Sequence, residues 1–209
     1  DISKATLNRL PSYLKYLYQL DKLNVATVSS TTIANGLNLN PVQVRKDIAL
    51  VSSVAGKPKM GYVTKEIIAD LEGFLGYNNT HDAILVGVGG LGKAFLGYGG
   101  FENYGLNIVA AFDNNEKLVN TKINGKPVYD VGKLQSIMAR FNIQIGIITV
   151  PSYAAQEVAD RMVAAGIKAI WNFASVHLNI PSDVALKNED LASSLALLSL
   201  QIQSNRKEG

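Results

Sequence analysis

Residues Ala83 to Asp113 read AILVGVGGLGKAFLGYGGFENYGLNIVAAFD, and this stretch decides the fold of the chain. An apolar run from Ala83 to Val88 enters a glycine-rich turn, a helical pattern follows, and a second apolar run ends at Asp113. Because apolar runs of this length flank an amphipathic pattern, the stretch predicts strand, turn, helix and strand. This is the layout of a βαβ unit that binds a dinucleotide.

The glycines of the turn each have a mechanical reason. We predict that Gly87 permits the tight turn after the strand, that Gly89 lets the backbone approach a pyrophosphate, and that Gly92 lets the helix pack against the sheet. The helix N-terminus then offers free N–H groups and a partial positive charge to the phosphates. The predicted cofactor-binding residues of the turn are Gly87, Gly89, Gly90, Leu91 and Gly92.

Asp113 indicates which dinucleotide binds. It lies 21 residues after Gly92, at the predicted end of the second strand, where a carboxylate can accept hydrogen bonds from the adenosine ribose. The same carboxylate repels a 2′-phosphate, so the pattern predicts NAD(H), as NADH or NAD+, over NADP(H). The alternative is a glycine-rich turn in an ordinary α/β protein. Nine of the 18 glycines lie between Gly76 and Gly105, which is more clustering than that alternative predicts.

The composition excludes several classes of protein and site. Hydrophobic residues make up 47% of the 209 residues, and no apolar run reaches the length of a membrane span. There is no cysteine, which excludes disulfides, thiolate metal sites and thiol nucleophiles. His81 and His177 are too far apart in sequence to indicate a zinc site. With no signal-peptide pattern, we expect a cytoplasmic protein without a metal.

The charge is placed unevenly and divides the chain. Residues 1–77 carry nine Lys and Arg against six Asp and Glu, whereas residues 78–209 carry eleven of each. A basic small module joined to a neutral α/β module favours a polyanionic partner for the first. We predict a DNA-binding domain over 1–77, a Rossmann domain over 78–187 and a C-terminal dimerisation helix over 188–209.

The N-terminal third shows the pattern of a helix-turn-helix. Leucines at helical spacing predict an amphipathic helix over residues 4–20, which Pro11 kinks or delays. A short helix follows the hydroxyl-rich stretch at Ser29, and Asn40 caps a third helix over Pro41 to Val51. Two short helices joined by a tight turn, the second basic near its start, are typical of DNA-binding proteins.

Within the third helix, Val44, Ile48 and Val51 form the inward stripe. The pattern does not decide whether Asp47 lies on this stripe or off it. A later turn, Gly56 to Tyr62, carries two lysines between short extended runs and predicts the wing of a winged helix. The predicted DNA-binding residues are Ser30, Gln43, Arg45, Lys46, Lys57, Lys59 and Tyr62. The alternative is an ordinary helical cap with solvated charges.

The Rossmann pattern continues beyond Asp113. Apolar runs predict strands over residues 126–129, 143–150 and 169–173, with helices over 132–141 and 153–166. In the strand order 3-2-1-4-5, ligands bind beyond the carboxyl ends of the strands. The ends of the fourth and fifth strands place these residues on the nicotinamide side: Thr149, Val150, Pro151, Asn172, Phe173 and Ala174.

This set of side chains argues against catalysis. None of the six transfers protons or binds a metal, although a dehydrogenase usually needs a general acid or base there. His177 is placed on an extended segment. The last predicted helix, over residues 188–203, has a broad leucine face that needs its own sheet or another subunit, and we favour another subunit.

Taken together, these motifs resemble the Rex family of redox-sensing transcriptional repressors. The likeness runs from about Ile2 to Ile202. It is carried by SKATLNRLPSYL, by QVRKD in the third helix, by GVGGLGKA with Asp113, by TVP and by AAGIKAIWNFASV.

The resemblance implies a homodimer with an N-terminal winged helix, a Rossmann domain and a domain-swapped C-terminal helix. Members of the family bind palindromic operator DNA when NADH is scarce, release it when NADH binds, and transfer no hydride. The residues that match the family's switch are Tyr98, Asp190 of the other subunit, and Lys15, where the family more often has arginine.

Two segments depart from the family pattern. The third helix continues as Ile48-Ala49-Leu50-Val51-Ser52 instead of LSYFG, and the wing reads GKPKMGY instead of GKRGVGY. The altered wing, with Pro58 and Lys59, puts the operator preference in question. Two rival interpretations remain: an NAD-dependent oxidoreductase with a helical appendage, and a CoA- or nucleotide-binding module used as an interaction platform. The missing acid or base opposes the first, and Asp113 opposes the second.

Overall fold

The computed structural model describes residues 2–57 and 60–205. The chain divides into two compact units, Asp1–Asn79 and Thr80–Gly209. The first unit contains, in order, α1 (Lys4–Lys22), β1 (Thr27–Val28), α2 (Ser30–Leu37), α3 (Pro41–Val51), β2 (Tyr62–Val63) and α4 (Thr64–Leu75). β1 and β2 pair antiparallel, and Lys57 bridges to Gly61 at the base of the turn before β2.

Local sequence signals explain the helices of the first unit. The Ser3 hydroxyl accepts the Thr6 N–H at the start of α1, and the Asn40 side-chain oxygen Oδ1 accepts the N–H groups of Val42 and Gln43 at the start of α3. Pro11 lies inside α1, which continues through it to Lys22. The core of the unit is formed by apolar side chains that are fully buried: Leu10, Leu14, Leu17, Ile33, Val44, Ile48 and Leu71.

The second unit is built on one seven-stranded sheet. Its strands are β3 (His81–Val86), β4 (Leu106–Asp113), β5 (Lys122–Ile123), β6 (Lys126–Asp130), β7 (Ile145–Ile148), β8 (Ala169–Asn172) and β9 (Ala185–Asn188). The order is β5-β6-β4-β3-β7-β8-β9, and all neighbours are parallel except the β5–β6 pair. The helices are α5 (Gly90–Gly97), α6 (Leu134–Met138), α7 (Ser152–Ala164) and α8 (Leu191–Asn205), with 3₁₀ turns at Phe101–Tyr104 and Val131–Lys133.

The two faces of this sheet bury separate apolar clusters because side chains alternate along each strand. Ile84 and Val86 point to one face, where α6 and α7 supply further side chains, and Ala83 and Leu85 point to the other, which α5 covers. The predicted α/β class, with a small N-terminal unit of helices and a two-stranded sheet followed by a Rossmann-type parallel sheet, is confirmed.

The structure differs from the prediction at the C-terminal edge. β9 adds a sixth parallel strand that the sequence did not indicate, and it takes Asn188 out of the predicted last helix. α8 begins at Leu191, because the Asp190 carboxylate accepts the Ser193 N–H and so caps the helix there. None of the helices in the described part of the chain is long and apolar enough to cross a membrane.

Candidate cofactor cleft and nucleic-acid interface

The glycine-rich turn after β3 has two positions that tolerate no side chain. Gly87 has φ +103°, and a Cβ there would lie 2.7 Å from the carbonyl group of Thr149. A Cβ on Gly92 would collide with the carbonyl oxygen of Gly87. The turn and α5 are therefore held against each other and against the end of β7. At Gly89 and Gly90, by contrast, a Cβ would meet nothing within 4 Å, so the backbone faces open space where α5 begins.

Asp113 closes this turn from the neighbouring strand. Its Oδ2 accepts the Val88 N–H at 2.6 Å and its Oδ1 accepts the Asn115 N–H at 2.8 Å. The carboxylate is half-exposed, so it retains lone pairs that face the cleft. Thr149, directly after β7, also holds the turn, because its hydroxyl donates to the Gly87 carbonyl oxygen at 2.7 Å.

These groups line one cleft of about 410 Å³ at the carboxyl ends of β3, β4 and β7. Of the predicted cofactor-binding residues, it contains Gly87, Gly89, Asp113, Thr149, Val150 and Pro151. Sequence reasoning missed the outer wall, which comes from the segment after β4, from the 3₁₀ turn after β6 and from α7. These residues are Asn114, Asn115, Leu118, Val131, Tyr153, Ala154, Glu157, Val158 and Arg161. An amphipathic helix that follows TVP is the signal that could have placed the α7 side chains here.

The three predicted residues at the end of β8 are placed differently, and they do not line this cleft. Asn172 is fully buried, and its amide donates to the carbonyl oxygens of Ala174 and Val176 and to Asn188 Oδ1. Its own Oδ1 accepts the Ala174 N–H at 3.0 Å. Asn172 thus shapes the loop after β8 instead of presenting its amide to a ligand.

Phe173 and Ala174 belong to two other features. The Phe173 ring lies 4.8 Å from both Phe95 and Trp171 in an aromatic cluster beside α5. Ala174 lines a second cleft of about 440 Å³, together with His177, Asn188 and Asp190 and their neighbours.

The residues matched to the family's switch lie at helix ends and on a helix surface. Tyr98 follows the last residue of α5, is 55% exposed, and packs edge-to-face on Phe101 at 4.9 Å. The Ser193 hydroxyl and N–H donate to Asp190 and lower the pKa of that carboxyl. Lys15 is exposed on α1.

The first unit places its predicted DNA contacts on α2, α3 and the wing. Ser30, Arg45, Lys57 and Tyr62 line one surface cleft of about 430 Å³. Gln43 and Lys46 are exposed on α3, and Ser30, the first residue of α2, is buried apart from 7% of its surface. Lys59 lies outside the described residues. A cationic surface with exposed polar side chains on the second helix can bind phosphates and base edges.

The sequence pattern left open the side of Asp47, and the structure buries it, with 1% exposure. Its carboxylate accepts hydrogen bonds from Thr6, Arg9, Tyr13 and Gln43. Burial opposes ionisation, but the hydrogen bonds from Arg9, Tyr13, Gln43 and Thr6 outweigh it and hold the pKa of Asp47 at about 2. The spacing from Val44 to Asp47 and Ile48 is the signal that places all three on one inward face.

Within residues 2–57 and 60–205, no three His, Asp or Glu side chains are grouped so that they could hold a metal ion. The cleft at the strand ends has the features of a dinucleotide site, because open backbone at Gly89 meets the start of a helix and the Asp113 carboxylate lines the cleft at the end of the neighbouring strand.

Comparison with known proteins agrees with both halves of the chain. The family described as "CoA binding domain" matches residues 78–176, and the family described as "Putative DNA-binding protein N-terminus" matches residues 1–49. The redox-sensing transcriptional repressor Rex of Treponema denticola is 40% identical over 201 residues, which cover 96% of this chain and 95% of that protein.

Solved structures agree in the same way. The crystal structure of RSP in complex with beta-NAD+ and operator DNA has 37% identity and a TM-score of 0.92, over 99% of this chain and 94% of that one. RSP in complex with beta-NADH has 36% identity and a TM-score of 0.89, over 98% and 96%. The curated relatives are named as transcriptional repressors, not as enzymes. With this identity over nearly its full length, the chain belongs to the Rex family of redox-sensing transcriptional repressors.

Proposed function

We propose that this chain is a redox-sensing repressor that binds palindromic operator DNA as a homodimer and is released from it when NADH binds. The observation that carries the proposal is the combination of two sites in one chain. One is a helix-turn-helix with exposed Gln43, Arg45 and Lys46, and the other is a cleft at the strand ends that is lined by Asp113, whose carboxylate we assign to a ribose. A ligand-binding unit joined to a DNA-binding unit is the arrangement a sensor requires.

Base reading and phosphate binding are assigned to different side chains. Gln43, Arg45 and Lys46 on α3 reach base edges or phosphates in the major groove. Ser30, Lys57 and Tyr62, which line a cleft with Arg45, follow the backbone, and Lys59 of the wing is assigned to the same task. Because several cations contact phosphate, we expect the affinity to fall steeply with salt concentration.

The cofactor interpretation is supported by the geometry of the cleft. Gly89 and Gly90 leave the backbone N–H groups at the start of α5 open to a pyrophosphate, and Asp113 can accept hydrogen bonds from ribose hydroxyls. Val150 and Pro151 give the far side an apolar lining. An apolar lining favours neutral NADH over cationic NAD+, because an unpaired positive charge is costly to desolvate. RSP was solved with each of the two forms.

A homodimer is supported by the surface of α8. Leu195, Leu197 and Leu198 are 55–64% exposed, and three neighbouring leucines on one helix are costly to leave in water. We propose that α8 packs on a second copy of the chain. We infer that Asp190, Tyr98 and Lys15, which match the family's switch residues, take part in the switch. A cytoplasmic location accords with binding to operator DNA.

NADH then acts through its differential affinity for two dimer arrangements, since a ligand shifts an equilibrium only by that difference. Two recognition helices dock together only when their separation matches the spacing of the half-sites, so a modest change of arrangement releases the DNA.

The test is an equilibrium titration of the chain onto fluorescein-labelled palindromic DNA, followed by anisotropy at fixed salt. We expect the chain to bind this DNA, and we expect NADH at about 0.1 mM to weaken the binding by about ten-fold or more. The matched variant Arg45→Ala should bind weakly with or without NADH while its NADH affinity stays unchanged. Operator binding that ignores NADH would contradict the sensing half of the proposal.

A further inference from the structure

A buried carboxylate joins the recognition helix α3 to α1. Asp47 Oδ1 accepts from Thr6 Oγ1 at 3.1 Å, from an Arg9 guanidinium nitrogen at 3.0 Å and from Gln43 Nε2 at 2.9 Å. Asp47 Oδ2 accepts from Arg9 Nε at 2.8 Å and from the Tyr13 hydroxyl at 2.7 Å. Of these partners, Gln43 is the one that is exposed on the outer surface of α3.

The charge state of Asp47 decides which way the Gln43 amide faces. Hydrogen bonds from Arg9, the partner cation, keep the carboxyl ionised at neutral pH, and an ionised carboxylate can only accept. The Gln43 amide must therefore turn its NH₂ group inward. Its carbonyl oxygen and its second N–H are left for an outside partner.

That remaining edge has a definite complement among the bases. In the major groove adenine offers an N6–H donor beside the N7 acceptor, which matches one carbonyl and one N–H. Guanine offers two acceptors, O6 and N7, and needs two donors. Since one Gln43 N–H is committed to Asp47, the amide cannot supply both. The network thus selects adenine at the position that Gln43 reaches.

We propose that Asp47 is a positioning residue for sequence readout, which with Arg9, Tyr13 and Thr6 presets the Gln43 amide to recognise an A·T pair in each operator half-site. The proposal rests on the operator binding proposed above and adds which side chain sets specificity at one position. Asp47 itself is buried and touches no DNA. Its effect passes through the Gln43 amide.

The experiment compares full-length variants on an operator set in which each A·T pair in turn is replaced by G·C. The parent chain should discriminate about ten-fold at one symmetric pair of positions that Gln43→Ala makes neutral. Asp47→Asn should remove the same discrimination. The double variant Gln43→Ala/Asp47→Asn should lose no more discrimination than either single variant. The control Asp70→Asn changes the charge equally on α4, where Asp70 accepts from Ser53. It should leave discrimination at those positions intact.

Two readouts separate positioning from general loss of structure. Tyr13→Phe removes a single hydrogen bond to Asp47 and keeps the ring in the core. It should therefore reduce the discrimination by about half or more, and only at those positions. In a ¹⁵N spectrum without DNA, the Gln43 side-chain N–H signals should move toward free-amide values in Asp47→Asn.

Two outcomes would overturn the proposal while operator binding stands. One is a uniform loss of affinity for every sequence in Asp47→Asn and Tyr13→Phe, and the other is a preference of the parent chain for G·C at the Gln43 position. If the parent chain bound none of the sequences, the proposed function would fail as well.

Discussion

Two glycines of the cofactor turn should respond to the same substitution with different changes in stability. In Gly92→Ala the new Cβ meets the Gly87 carbonyl oxygen, which is backbone and cannot rotate away. Overpacking of this kind costs about 1–3 kcal/mol, and the better helix propensity of alanine returns up to about 1 kcal/mol. We expect a net loss of about 1–2 kcal/mol and a Tm lower by about 5 °C. NADH affinity should fall too, because the turn must shift.

In Gly89→Ala the Cβ meets nothing within 4 Å. The backbone at this position, with φ −75° and ψ −161°, has an extended conformation that alanine can also adopt. The ligand-free chain should melt at the parent temperature or slightly above. NADH affinity should nevertheless fall by about ten-fold or more, because a methyl group would stand between the backbone and the pyrophosphate and cost at least one charge-assisted hydrogen bond. Thermal melts and NADH fluorescence titrations measure both effects. Parent-like NADH binding by Gly89→Ala would refute the assignment of this backbone to the phosphates.

Three further predictions concern single carboxylates and cations. Asp113→Asn should weaken NADH binding and lower the preference for NADH over NADPH by about ten-fold in paired titrations, since it removes the charge and one of the two N–H bonds; an unchanged preference would contradict the ribose assignment. The ¹³C chemical shift of the Asp47 carboxyl should report a pKa of about 2, below the usual pKa of 3.8 for this group. A pKa near 4 would contradict the prediction. Because the folded pKa is depressed, its contribution to stability, roughly 2 kcal/mol, is complete above pH 4 and is lost as pH falls toward 2. Lys46→Ala should reduce operator affinity for all sequences and lower the slope of log affinity against log salt by about one, whereas an unchanged slope would place Lys46 away from phosphates.

The sequence predicted those parts of the fold that local pattern controls. The glycine spacing and the two apolar runs around it define β3, α5 and β4, and Asn40 with Pro41 sets the start of α3. The strand β9 was missed because Ala185–Asn188 has no β-branched residue and is a strand only through its pairing with β8. The sequence pattern of a segment reports only its own residues, whereas β9 forms because β8 offers it a free strand edge.

The site residues that could be predicted from the sequence are those whose position is fixed by a backbone motif. Gly87, Asp113 and Thr149 follow from their places at strand ends, and all three line the cleft. Asn172 was predicted from the same rule, but its amide is consumed by Asn188 and the loop after β8, which only the folded chain reveals. The burial of Asp47 depends on Arg9 and Tyr13, more than thirty positions earlier in the chain.

The claim that the cofactor cleft governs the DNA-binding surface is tested most directly by one titration. Operator affinity of the parent chain is measured at fixed total nicotinamide dinucleotide while the NADH fraction rises from zero to one. We predict tight binding in NAD+ and a sharp loss of affinity as NADH increases, with no such loss in Gly89→Ala. Operator affinity that stays constant over the whole range, while NADH binding is detected separately, would contradict the coupling of the two sites.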